Sequence, residues 1–318
     1  AEAFESTNTF EIVRRVHDEE SFQRALTSGA AQVGVRIPAD YTQRLVSGER
    51  AEVPVLIDGS DSAVADAALN AASLLGIQLS QQIELRAVRT QAFSAARDEY
   101  GQPAQAIEVR PRLLFNPDLE SSHFFVPGLV GIILQMVLLF LTAFAVVRER
   151  ELGTLEQLFV TPISRSGLML GKLIPYALIG VMETMLVLVL MVFLFGVPIK
   201  GSLPLLLLLS TLFIVTSLGM GLLVSTLAKT QLQAMQFAFL VMLPSVLLSG
   251  FMFPRADMPL PIYLVTYAIP VSYFIEILRG IVLRGADLLD LVPAAAGLAI
   301  CCVVILAASV ARFRKQLG

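Results

Sequence analysis

Glu183 is the residue that asks most of its surroundings, because it stands inside the apolar run from Leu168 to Phe195. An ionised carboxylate is expensive in such a run and normally faces protein or water. It reads as lining a path for a solute, as a proton site, or as a protonated or hydrogen-bonded packing residue beside Gln135 or Thr184. Glu276 and Arg279, three residues apart, fit a pair on one helical face, turned to solvent or lipid headgroups or, in the lesser reading, to a solute. The third group runs R-E-R-E-L-G-T-L-E-Q-L-F from Arg148 to Phe159 and continues V-T-P-I-S-R to Arg165. Leu152, Leu155, Leu158 and Phe159 recur there at helical spacing, with Glu149, Glu156 and Gln157 on the other side. The spacing predicts a short amphipathic helix over 149–161 that also carries Glu151, Gly153 and Thr154 and is stopped by Pro162. Its apolar face needs a cover, either lipid headgroups or a groove in another protein.

Other chemistries lack material. His17 and His123 are isolated, without ligand-spaced Cys, His or carboxylates, so no metal is expected. The serines show no nucleophile-elbow spacing, and two His in the whole chain leave little for a hydrolytic triad. The stretch Gly167-Leu168-Met169-Leu170-Gly171-Lys172-Leu173 has three residues between its glycines instead of four, and Leu where Ser or Thr would meet Mg²⁺. It sits at the mouth of an apolar run rather than after a strand, so neither nucleotide binding nor any other cofactor is expected on this chain. Cys301 and Cys302 are adjacent in an apolar segment and cannot staple distant parts of the chain.

The elements that must position these residues fall into two halves. Of 318 residues, 56% are hydrophobic and 15% charged, too apolar for one soluble protein of this size. Residues 1–122 hold eleven Arg and no Lys against eighteen Asp and Glu, a net −7, whereas the remainder is net +4. This acidic excess, with no concentrated basic patch, argues against nucleic acid. In the first half, Thr9 to Val16, Gln32 to Ile37, Val53 to Ile57 and Ile107 to Phe115 read as strands. Helices fit Asp18 to about Ser28, a short piece after Pro38 that stops at Gly48, and Asp61 to about Ala96. The alternation predicts a small α/β domain with a mixed sheet over 1–122.

From residue 123 onward the runs lengthen to membrane-spanning size, roughly 20 residues each. Five spans are expected, at Phe124 to Val147, Leu168 to Phe195, Leu203 to Ala228, Leu232 to Phe253 and Leu288 to Ala311. Residues 259–284 differ: Pro259, Pro261 and Pro270 break them, and Glu276, Arg279 and Arg284 interrupt their apolar character. They read as a broken or re-entrant pair at the interface rather than a sixth crossing. Arg148, Arg150, Arg165, Lys172, Lys229, Arg312, Arg314 and Lys315 fall on one side of the spans, against Lys200, Arg255, Arg279 and Arg284 on the other. The positive-inside rule then puts the loop after the first span and the C-terminus in the cytoplasm, with residues 1–122 outside. An acidic domain does not cross a membrane unaided, so a further span before Ala1, or a cleaved signal peptide, is expected.

The run R-E-R-E-L-G-T-L-E-Q-L-F-V-T-P-I-S-R, with G-K-L-I-P-Y after it, resembles the signature of the ABC-2 type transporter permeases. The likeness extends through S-G-F-M-F-P-R-A-D-M-P and the Pro270 to Gly280 segment, covering most of residues 124–318. I-P-A-D-Y and V-L-I-D-G-S-D resemble the extracytoplasmic insert of bacterial export members. The resemblance implies a permease subunit of an ATP-driven exporter in the bacterial inner membrane, not itself an enzyme. It implies that 149–161 contacts an ABC ATPase, present in two copies, which holds ATP and Mg²⁺. It further implies a second permease subunit, identical or paralogous, and an extracytoplasmic gate around Glu276 and Arg279. The apolar lining suggests a drug-like or lipid-like cargo, and the outer domain suits contact with a periplasmic adaptor. Two other classes compete: a membrane-anchored sensor or assembly factor, for which five or six spans are more than an anchor requires, and a proton-coupled carrier using Glu183. An intramembrane enzyme ranks last.

Overall fold

The computed structural model describes residues 10–47, 49–90, 105–153, 165–255 and 258–315. Two units divide the chain, residues 1–121 and 122–318.

In the first unit, α1 (Glu19–Thr27) starts where Asp18 accepts the Ser21 amide at 2.7 Å, and Glu19 and Glu20 place further negative charge on its first turn. β1 (Val33–Val35) and α2 (Tyr41–Ser47) follow, then β2 (Ala51–Asp58), α3 (Ser62–Thr90) and β3 (Ile107–Leu114). The sheet order is β1-β2-β3, β1 antiparallel and β3 parallel to the central strand, so it is mixed. Strand alternation turns Val53, Val55 and Ile57 inward, where Ala65, Ala68 and Ala72 of α3 let the helix lie close upon them. Each fully buried aliphatic side chain contributes about 2 kcal/mol here, because water is the alternative solvent. Ser80 of α3 pins the start of β3, donating to the Ile107 carbonyl at 2.8 Å and accepting its amide at 3.1 Å. Pro111 is tolerated because β3 is an edge strand. The strand expected from Thr9 to Val16 is absent over its described residues 10–16: Val13 is 71% exposed, no strand pairs with this stretch, and only Phe10 packs on the core. Alternation without a ladder partner does not make a strand.

Among the described residues the second unit holds five helices long and apolar enough to cross a membrane. They are α4 (Ser121–Glu151), α5 (Arg165–Phe193), α6 (Leu203–Leu227), α7 (Gln231–Leu248) and α10 (Val292–Lys315). Between the last two lie α8 (Leu260–Thr266) and α9 (Pro270–Arg279), which runs on through one π-turn, Gly280–Arg284. The fourth apolar helix ends at Leu248, short of the expected Phe253, because Gly250 turns back with φ +85°. α8 and α9 are bent by 83°. α9 does not lie on a surface as a headgroup-facing helix would: Val271, Tyr273, Phe274, Ile275, Ile277 and Leu278 are buried, and Phe274 stacks on Phe213 of α6 with ring centroids 4.1 Å apart.

Burial of apolar area supplies little drive in lipid, so close packing and internal hydrogen bonds must hold such helices together. α6 is the central one, and several of its hydroxyls bond within the helix: Ser210 donates to the Leu206 carbonyl and Thr216 to that of Leu212, both at 2.8 Å. The small residues Gly219, Gly221 and Ser225 fit either a subunit interface or internal packing, and in the folded chain they pack internally. A Cβ on Gly221 would stand 2.6 Å from Thr142 Cβ and 2.9 Å from the Leu139 carbonyl oxygen of α4. Ser309 of α10 donates to the Gly219 carbonyl at 3.0 Å. α5, by contrast, buries among its described side chains a stripe through Gly180, Thr184, Leu188 and Met191 and exposes Leu178, Met182, Leu186 and Phe193.

Candidate functional site

Glu149 and Glu151 lie on the last turn of α4, which runs through from the first span rather than stopping at Val147. The Leu152 amide still reaches the Arg148 carbonyl at 3.0 Å, and Gly153 then turns left-handed with φ +70°. A left-handed glycine just past the last turn is the commonest way to end a helix. Helical spacing from 149 to 152 therefore belongs to the span and does not open a separate helix. Thr154, Leu155, Glu156, Leu158, Phe159 and Pro162, which carry the rest of the expected 149–161 helix, lie outside the described residues.

The last turn of α4 grips the α6–α7 turn. Arg150 Nη1 donates to the Ser225 carbonyl at 3.0 Å and to the Ala228 carbonyl at 2.8 Å, at the C-terminal end of α6. Glu151 accepts the backbone amide of Gln231, first residue of α7, at 3.0 Å on Oε1, and the Gln231 side-chain amide on Oε2. Both charges have the sign the helix ends ask for, a cation on orphan carbonyls and an anion on an orphan amide. Thr230 completes the cap by accepting the Gln233 amide at 3.2 Å, while Gln233 Oε1 takes the Lys229 amide at 2.9 Å. Arg150 and Gln231 were missed by sequence reasoning. The signal available was Arg150 placed one residue before Glu151, at the end of a span whose length can be counted.

Glu183 stands on α5 beside the buried stripe. Its Oε2 is shielded from solvent and has no hydrogen-bond partner among the described residues. Of the two neighbours expected for it, Thr184 Oγ1 donates to the Gly180 carbonyl at 2.7 Å, and Gln135 Nε2 donates to Ser245 Oγ at 3.0 Å while its Oε1 has no partner among the described residues.

At the other end of α4, Arg279 and Glu276 both have partners beyond the pair expected of them. Arg279 donates from Nη1 to the Gly250 carbonyl at 3.1 Å and from Nη2 to the Phe124 carbonyl at 3.2 Å, with its guanidinium 4.0 Å from the centroid of the Phe124 ring. It thereby ties the start of α4, the turn after α7 and α9 to one planar group. Glu276 faces Arg255 at 3.7 Å. Arg255 donates to Thr266 Oγ1 at 3.1 Å and lies 5.4 Å from the ring centroids of both Tyr263 and Tyr267, at α8 and its C-terminal end. Arg255 was not singled out in the sequence, where it is one cation in a turn of mixed character. Among the described residues no cluster of His, Cys, Asp or Glu is arranged to hold a metal ion.

Apolar helices of spanning length, whose charged groups clasp helix ends at both extremes of the bundle, define a polytopic membrane protein. The chain belongs to the ABC-2 family of transporter proteins, whose family model matches residues 1–311. It is 38% identical over 253 residues to the probable multidrug ABC transporter permease YbhS of Escherichia coli strain K12, a match covering 79% of this chain and 64% of that protein. It is 29% identical over 285 residues to the probable multidrug ABC transporter permease YbhR of the same organism, covering 90% and 74%. Against the inner membrane transport permease YhhJ, also from Escherichia coli, it is 30% identical over 296 residues, covering 92% and 75%. The chain thus spans about two thirds to three quarters of the length of these relatives.

Proposed function

We propose that the chain is the membrane-spanning permease of an ATP-driven exporter in the bacterial cytoplasmic membrane. The observation that carries this reading is the sequence at 148–165, which begins on the last turn of a helix of spanning length and resembles the signature of the family the chain belongs to. In this reading two copies of a separate ABC ATPase bind ATP and Mg²⁺ and seat on the segment through Leu155, Leu158 and Phe159. A second permease subunit, identical or paralogous, completes the path. Residues 1–122 stand outside the membrane, where they contact a periplasmic adaptor or shape the exit, and the C-terminus is cytoplasmic. ATP-driven closure of the ATPases rocks the segment and switches the path between inward and outward openings. A hydrophobic or amphipathic cargo is supported by the apolar spans and by the words "multidrug ABC transporter permease" in the names of two relatives.

Purification of the permease from membranes in mild detergent tests this. An ATPase with a P-loop should accompany it, and ATP should drive uptake of a lipophilic fluorescent dye into inverted vesicles holding the complex. Purification of the permease without any ATPase would contradict the proposal. The shielded Glu183 Oε2 favours one rival, a proton-coupled carrier. That rival predicts dye transport that survives ATP depletion and fails in Glu183→Gln, whereas a permease stops when ATP is removed, whatever the proton gradient.

A further inference from the structure

Glu149, Arg150 and Glu151 precede the segment on which the proposed ATPase sits, yet two of the three hold another part of the membrane unit. Arg150 takes two carbonyls at the C-terminal end of α6, and Glu151 takes the first amide of α7. Adjacent residues on one helix end thus grip the two sides of a single turn, residues 228–230, with opposite charges on opposite helix ends. Only Leu152 and Gly153 separate this clasp from the segment beginning at Thr154. α4 and α7 are tied again at their far ends, where Arg279 donates to both the Phe124 and the Gly250 carbonyls. The two helices therefore form a frame fastened at both ends.

We infer that Arg150 and Glu151 are positioning residues that transmit ATPase movement to the α6–α7 turn, rather than surface on which the ATPase docks. This rests on the permease reading above. The bonds are charge-assisted and directional, so their loss uncouples the turn while leaving Leu155, Leu158 and Phe159 in the sequence.

The test uses the permease–ATPase complex in lipid nanodiscs and follows hydrogen exchange of residues 225–236, nucleotide-free and trapped with ADP, Mg²⁺ and vanadate. In the wild type, trapping changes exchange in this peptide. In Glu151→Ala the ATPase still co-purifies, the Gln231 amide exchanges faster without nucleotide, and the response to trapping is lost. The exchange of partners Glu151→Gln with Gln231→Glu rebuilds the side-chain pairing and restores the response, which a purely structural weakening would not show. Should Glu151→Ala fail to accumulate, Glu151→Gln alone, which keeps an acceptor but not the charge, is expected to weaken the response. A response of wild-type size in these single variants overturns the inference and leaves the permease reading standing. Loss of the ATPase from Glu151→Ala overturns it as well, since Glu151 would then be a docking contact. Absence of any ATPase from the wild-type preparation overturns both.

Discussion

Arg279 shows how one side chain stabilises a membrane fold when burial of apolar area cannot. Its guanidinium satisfies two carbonyls on different segments and lies over the Phe124 ring. Arg279→Ala should lower the stability of the purified protein by about 2 kcal/mol or more, read as a fall in melting temperature. Arg279→Lys should recover only part, because a single ammonium does not reproduce the planar fork. Gly221→Ala should also destabilise, since the new methyl meets the Leu139 carbonyl oxygen at 2.9 Å, a backbone atom unable to swing aside. Gly171→Ala is the control: nothing among the described residues lies within 4 Å of where its methyl would stand, and alanine favours a helix over glycine by up to about 1 kcal/mol. In the first unit, burial pushes the Glu108 carboxyl up, but hydrogen bonds from Arg110 and Arg50 outweigh it and hold the pKa below the ordinary value. A depressed carboxylate stabilises fully above its unfolded pKa, about 4, and loses that contribution as pH falls through the folded value. The melting-temperature gap between wild type and Glu108→Gln should therefore be present at pH 7 and shrink under acid. These contacts were not legible beforehand: Glu276 and Arg279 sit at pairing distance along a helix, but Gly250, Phe124 and Arg255 come near only through the 83° bend and the turn after α7.

At the scale of elements, the apolar runs announced the spans because lipid leaves a helix no other way to satisfy its backbone. Their ends were less legible. α4 extends through Arg148 to Glu151, since charged residues there find helix ends to bind, and Gly250 and Gly153 stop helices by conformation rather than polarity. α9 carries Glu276 and Arg279 and so looked interfacial, yet its remaining side chains fill the middle of the bundle around the Phe213–Phe274 stack. In the sheet, β2 was plain from its β-branched alternation, whereas Thr9 to Val16 showed a similar pattern and has no strand to pair with over its described part. In the proposed function the ATPase seats on the segment after Gly153, which its apolar spacing and its likeness to the family single out. Replacing Leu155 and Leu158 together by Ala should cut ATPase co-purification by about tenfold or more, as loss of two apolar anchors from a docking surface would. Membrane insertion of the same variant should be unchanged.

For the whole molecule, the claim is mechanical. α4, about 46 Å long at 1.5 Å per residue, is fastened near one end to α7 and α9 and at the other to the α6–α7 turn. If Arg150 and Glu151 transmit movement as inferred, a push on the loop that follows α4 reaches the α6–α7 turn. Everything depends on that loop facing the cytoplasm and meeting an ATPase. The most direct measurement introduces cysteine at Leu155, with Cys301 and Cys302 replaced by alanine, and treats right-side-out and inverted vesicles with a membrane-impermeant maleimide. The account predicts labelling in inverted vesicles only, and protection from it when the ATPase is bound. Labelling from the outside, or equal labelling with and without the ATPase, would contradict it.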